Sequence, residues 1–476
     1  MSNTTNLDKN PSTAPSATLA MDSAFEGEST MNPGGATTVK VRPDGTLQYF
    51  NALGLESSAD HQRVAKIWQD KCISADKFHQ TLKDAEAHKF DLTLADGDVR
   101  LNPDLTLIKP LTGLDGEALE SVGFTAHGLS TLTQTAGIPR STVDYLTSED
   151  KKYADVREDR LATLANLVNE DMDIRNLDWE NPSADMKKTR RGVKENGKPD
   201  PRNIVLRLRD DENGDPIVRA VVSERYTREL SNLQVYELML DCFKKDDIKR
   251  ILASHIDHDG DNMIGNLLLP DDLQTCEGDS DYGIGVAFRN SEVKRWIWEI
   301  RPFAFRAICL NGCIWGRRDS KYFISKKHLG SCDLVALRAE CERVMALALS
   351  HGQSFLEQMM LTKSVEVEDE ARLLAQIAAE NAITRSQVGA IANAYHLPRE
   401  AEWVGTGFGI IQAITSGAQN FDAGTRNHLE SVAGDLISPS LDADLATVAK
   451  YWERLADRSM RLSDDDVKWT RELLTV

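Results

Sequence analysis

Imidazoles and carboxylates are densest at His255, Asp257, His258, Asp259 and Asp261. Histidine nitrogen and carboxylate oxygen are ligands for divalent metals, so this run is the first place to look for metal chemistry. It also has the outline of a calcium loop. The outline fails at two points: the glycine is fourth, and the position eleven residues after Asp257 is Leu268 rather than a bidentate glutamate. An Asp-Gly turn between two alternating apolar runs accounts for the same residues without an ion. The expectation is a hairpin turn, with no metal and no cofactor.

Two further stretches have the residue types of a site but not the spacing. Cys309 and Cys313 stand beside Asn311-Gly312, with no matching Cys or His pair to close a zinc site and no local base to activate a nucleophile. The glycines of Val404–Gly409 fall among helices, lack the lysine of a phosphate loop and do not follow a strand. No catalytic residue is expected from either.

Arginines and aromatics give a stronger pattern. Arg207 and Arg209 alternate on one face of a strand, Arg219 lies on the return strand, and Arg225 and Tyr226 follow its end. Trp296 and Trp298 share a face in the same way, with Arg301 and Arg306 further along. Guanidinium groups for phosphates, with aromatic rings for bases, are what a single-strand nucleic-acid groove needs. The chain as a whole is acidic, with net charge −19 and pI ≈ 5.1, which argues against non-specific nucleic-acid binding by the whole surface. Its basic residues are nevertheless concentrated: Lys187–Arg209 holds nine against two acids, and Phe288–Lys327 ten against three. A half-buried sheet with balanced charges is the competing reading of the same arginines.

The elements that must position these residues can be read in order. Residues 1–45 lack an apolar period and are expected to be disordered. Residues 46–180 read as mixed helix and strand, with helices at Asp60–Trp68 and Ser74–Ala87 and a hairpin pairing Asp91–Leu94 with Val99–Leu101 around Asp96-Gly97-Asp98. Thr125 to Leu146 reads as two helices, capped by Thr125 and Gly137 and reopened by Pro139. They have the outline of a DNA-reading helix-turn-helix, but the second helix is short and poor in base-reading side chains. Residues 181–330 form a β-rich core, with a helix capped at Ser231 or Asn232, and 331–476 a helical region. The fold class is therefore α+β: a central antiparallel sheet, packed helices, a disordered N-terminal arm and a mostly helical C-terminal region. No apolar run approaches the roughly 18 residues of a membrane span, and the seven scattered cysteines fit reduced thiols.

At Arg219-Ala-Val-Val-Ser-Glu-Arg-Tyr226 with Ser231-Asn232, at Asn290-Ser-Glu-Val293, at Arg301-Pro-Phe-Ala-Phe-Arg306 and at Cys309-Leu-Asn-Gly312, the chain resembles the DUF932 family. Gly137-Ile-Pro139 and Asn427–Leu436 fit the same pattern. One departure is Lys294, where the family pattern has glycine. The resemblance implies a phage- or plasmid-encoded protein of poorly defined function acting in the bacterial cytoplasm. The order of elements is similar in outline to single-strand annealing proteins of phage recombination. The leading expectation is a non-catalytic nucleic-acid-binding or annealing-like factor with single-stranded DNA, and a second copy of itself, as partners. The rivals are an acidic interaction protein that imitates DNA and a metal-dependent enzyme at His255–Asp261.

Overall fold

The structure is a computed structural model that describes residues 38–475 except 42–46, 51–65, 68, 96–98, 109–110, 113–117, 120–121, 149–155, 177–202, 227–229, 244–247, 249–250, 269–273, 276–280, 307–309, 317–322, 329–332, 396–402 and 458–461. Most of the N-terminal arm, most of the helix expected at Asp60–Trp68, the larger part of the basic stretch Lys187–Arg209, and Cys276, Cys309 and Cys332 lie outside the described residues.

The first strands are β1 (Thr38–Val41), β2 (Leu47–Phe50) and β3 (Cys72–Ser74). Helix α1 (Ala75–Ala87) starts where the Ser74 hydroxyl accepts from the Lys77 amide. Strands β4 (Lys89–Ala95), β5 (Leu111–Thr112), β6 (Ala118–Leu119) and β7 (Gly123–Phe124) follow, then helices α2 (Ala126–Thr135), α3 (Arg140–Thr147) and α4 (Arg157–Asn176). The core strands are β8 (Asn203–Asp210) and β9 (Pro216–Ser223), helix α5 (Asn232–Leu240), and β10 (Leu252–His258), β11 (Asn262–Leu268), β12 (Gln274–Thr275), β13 (Asp281–Ser291), β14 (Trp298–Arg306), β15 (Gly312–Ile314) and β16 (Ile324–Lys326). The remainder is helical: α6 (Leu334–Leu361), α7 (Glu370–Glu380), α8 (Arg385–Tyr395), α9 (Gly407–Ala418), α10 (Ala423–Ile437), α11 (Leu445–Asp457) and α12 (Asp464–Leu474). This is the expected α+β architecture. Among the described residues no helix is long and apolar enough to cross a membrane.

Two sheets carry the argument. The larger runs β15-β14-β13-β11-β10-β3, with β12 on β13 and β16 on β14, and every pairing is antiparallel. The smaller runs β4-β8-β9-β7, with β7 parallel to β9. The turn expected at Asp96-Gly97-Asp98 lies outside the described residues, and among those described no pairing of Asp91–Leu94 with Val99–Leu101 is seen. β4 pairs instead with β8, Lys89 opposite Arg209, and Leu101 bridges Leu107. Local turn chemistry suggested the nearer partner. The long-range partner completes a sheet whose Leu206, Leu208 and Val218 are buried in the same cluster as Leu132 and Val168 of α2 and α4.

The large sheet is covered on both faces. Val286, Phe288, Trp298 and Ile300 pack with Tyr236 and Met239 of α5 and with Val344 and Met345 of α6. Further along the same face, Tyr282 and Ile284 meet Phe355 of α6 and the C-terminal helices. On the opposite face lies α10. Gly434 makes that contact possible, because a β-carbon there would stand 2.1 Å from the Ile314 carbonyl oxygen. The Thr125–Leu146 segment is the two-helix unit expected, capped at Thr125 and turned at Gly137 with φ of 74°. Its first helix is pressed onto β9: a β-carbon on Gly128 would sit 2.2 Å from the Val218 oxygen.

Candidate functional site

Glu292 begins the turn after β13 and is buried. Its carboxylate accepts from Lys89 Nζ at 2.9 and 3.0 Å, from Arg219 at 2.6 Å and from the Asn232 amide at 2.7 Å. The last donor is in the first turn of α5, where Ser231 and Gln234 form a reciprocal capping box and the helix dipole favours an anion. Burial alone would raise this carboxyl's pKa. Lys89, Arg219 and the Asn232 amide outweigh it and hold the pKa down at about 2.

The surrounding charges are paired in the same way. Arg219 also reaches Asp261 at 3.2 Å, and Arg209 approaches Asp261 at 3.8 Å while donating to the Asp259 carbonyl. Arg207 lies 3.8 Å from Asp91 and donates to the Glu292 carbonyl at 2.6 Å. Its guanidinium sits 5.0 Å over the Tyr226 ring, which also stacks in parallel with His328 at 5.0 Å. His328 hydrogen-bonds Asn290 Oδ1 at 2.8 Å, while Asn290 Nδ2 donates to Leu230 and Asn232. Because Asn290 Oδ1 can only accept, His328 carries its proton on Nε2. Burial first, and then the charge of Arg207, lower its pKa to about 4, so the ring is neutral.

These contacts correct the single-strand groove expected on the sheet. Arg207, Arg219, Tyr226, Arg301 and Arg306 are buried, and so is Trp298, which has no exposed surface. Arg207 and Arg209 do share a face, but that face meets the turns of the larger sheet rather than water. Arg301 points under α10, donating to Asn427 at 3.2 Å and Ser431 at 2.7 Å and pairing with Glu299 at 2.9 Å. Trp296 does not continue the strand of Trp298, because β14 begins only at Trp298. Of the nine residues expected to contact nucleic acid, Arg225 is exposed, Trp296 half-buried, and Arg209 partly exposed but engaged.

The metal candidates diverge. His255 adopts φ of 52° at the register shift of β10 and bonds Gln419 at 3.1 Å. His258 turns its ring edge to Phe78, and burial first, with Lys89 next, lowers its pKa to about 4. Asp257 is exposed. The Asp259 carboxylate closes the hairpin, accepting from the Asp261 and Asn262 amides at 2.9 and 2.6 Å. Among the described residues no three His, Cys, Asp or Glu side chains are grouped to hold a metal.

What remains outward lies around Tyr226. Its hydroxyl donates to the Ser291 carbonyl at 2.8 Å and accepts the Lys294 amide at 3.1 Å, so it pins the turn between β13 and β14. Lys294 is held at φ of 66°. Its chain is exposed, while its ammonium turns back to the Val221 carbonyl at 3.4 Å and over the Tyr226 ring at 5.8 Å, where burial, and then the charge of Arg207, lower its pKa. Arg295 is exposed and stacks 5.2 Å over the Trp296 ring. Arg225 precedes Tyr226 and Lys327 precedes His328, and both are exposed. Sequence reasoning passed over Lys89, Asp91 and His328, whose roles depend on contacts no local pattern announces. It noted Lys294 only as a departure from a glycine.

Comparison of the chain with models of known families, with curated proteins and with solved structures finds no match in any of the three.

Proposed function

We propose that the chain is a non-catalytic nucleic-acid-binding protein that meets single-stranded DNA at the rim formed by Arg225, Lys294, Arg295 and Trp296, with Lys327 alongside. The observation that carries this reading is the Lys294 turn. A lysine in the left-handed region costs about 1 kcal/mol relative to glycine, and the strained turn sets that exposed lysine chain next to an exposed arginine stacked on a tryptophan. Cations for phosphates beside a ring for a base are the minimal parts of a single-strand contact. The resemblance to the DUF932 family supplies a setting for the same proposal: a phage or plasmid protein of the bacterial cytoplasm, with an annealing-like role in recombination.

The test is a titration of labelled single-stranded DNA at rising salt. Each phosphate contact contributes a slope of about −0.7 in log affinity against log salt. Three contacts give roughly −2, and the double variant Arg225→Ala/Arg295→Ala lowers the magnitude of the slope by about 1.4. Binding undetectable at low salt, or a slope unchanged in the variant, overturns the proposal.

A second reading has its own observation. Six basic side chains are buried among the described residues against four acidic ones, so folding hides more positive than negative charge in a chain already at −19. The acidic turn at Asp210–Asp215 contributes Asp210, Asp211 and Gly214 to a cleft of about 290 Å³ also lined by His88, Lys89, Arg209 and Gly260. An acidic interaction protein that imitates DNA fits that surface, and it is the reading that survives if DNA does not bind.

A further inference from the structure

Cys242 lies just beyond the C-terminus of α5, and Cys341 lies in the second turn of α6. Their sulfur atoms are 3.3 Å apart, with the Cys242 thiol also 3.2 Å from the Leu238 carbonyl. Both side chains are buried in the cluster beneath the large sheet. A disulfide requires the sulfurs to close by about 1.3 Å, to ~2.05 Å, a movement small enough for the two side chains to make by rotation. The residues are 99 apart in the chain, so the bond would close a long loop.

We propose that Cys242 and Cys341 form a dithiol–disulfide couple that fastens α5 to α6. This modification site is independent of the DNA reading. Its consequence is specific, because α5 is the helix whose first turn donates to the Glu292 carboxylate. The oxidised protein holds that helix at both ends: by Glu292 at the N-terminus and by Cys341 at the C-terminus.

The co-reactant is a low-molecular-weight disulfide. Cys242 is the entry point, because it sits in a turn rather than within a long helix and needs the smaller local opening. Its thiol loses a proton to solvent, and the thiolate attacks one sulfur of the small disulfide. The departing thiolate takes up a proton. The Cys341 thiol then gives up its proton, its thiolate attacks the Cys242 sulfur of the mixed disulfide, and the second small thiolate is expelled and takes up that proton. Two protein thiols are oxidised, one small disulfide is reduced to two thiols, and no other electron acceptor is needed.

The test uses the full-length reduced protein, incubated with oxidised glutathione below its melting temperature and then digested without reductant. The expected product is a cross-linked Cys242–Cys341 peptide, lighter by two hydrogens than the sum of its parts, and the oxidised protein melts at a higher temperature than the reduced one. In Cys341→Ser the second step is blocked, and Cys242 is recovered carrying one glutathione. Persistence of both thiols through the incubation, or their recovery bonded to other cysteines, overturns the proposal without reliance on the variant.

Discussion

Glu292 shows how a motif that looks chemical can be architectural. Its carboxylate is shared by a lysine of β4, an arginine of β9 and an amide of α5, so one side chain joins three elements. Removing one partner from a buried charge set costs about 3–5 kcal/mol, because the remaining charges are stranded. Glu292→Gln is therefore expected to lose stability in that range, measured by denaturant unfolding. The pH dependence follows from the depressed pKa. The stabilisation is present above the unfolded carboxyl pKa of roughly 4.3 and is lost as pH falls toward the folded value of about 2. A variant that matches the natural chain at neutral pH would refute this role. At this scale the sequence was half legible. Period-two spacing correctly placed Arg207 and Arg209 on one face, but nothing local says whether that face meets water or Asp91, Asp261 and Glu292. Distant acids decided it.

Among elements, the contact of α10 with the large sheet rests on close approach and a polar layer. Gly434→Ala places a methyl group against the Ile314 carbonyl and is expected to cost about 3 kcal/mol, at the upper end of overpacking. Gly389→Ala in α8, with nothing within 4 Å, gains about 0.5–1 kcal/mol through helix propensity. Equal effects in thermal melts would sink the packing argument. Glu430 of α10 is buried beside Arg426 and 3.3 Å from Gln419, and burial, offset in part by those groups, raises its pKa to about 7. A raised carboxyl pKa contributes stability that is full below about pH 4.3 and falls as pH rises through 7. His255, with its depressed pKa, acts in the opposite direction as pH falls below its unfolded value. Subtracting the Glu430→Gln profile from that of the natural chain isolates the Glu430 contribution. The difference should decline between about pH 4.3 and 7, and a flat difference would contradict the assignment. The helices, their caps at Thr125 and Ser231, and the Asp259-Gly260 turn were legible because their signals are local. The pairing of β4 with β8 was not, because its partner lies beyond more than a hundred residues and a nearer turn offered a plausible alternative.

For the whole molecule, the residues of the motifs singled out in the sequence converge on joints rather than on a cleft. Arg219, Tyr226, Asn232, Asn290 and Glu292 join the two sheets through α5, and Arg301, Asn427 and Gly434 join the large sheet to α10. On the proposed reading, single-stranded DNA meets what those joints leave at the surface, above all the strained turn at Lys294. That claim is tested most directly by Lys294→Gly, read in two ways on the same preparation. Relief of the left-handed strain raises unfolding stability by about 1 kcal/mol, while loss of the cation weakens single-stranded DNA binding and lowers the magnitude of the salt slope by about 0.7. Gain in stability together with loss of binding is the predicted result. A variant that is more stable and binds DNA as the natural chain does would contradict the account.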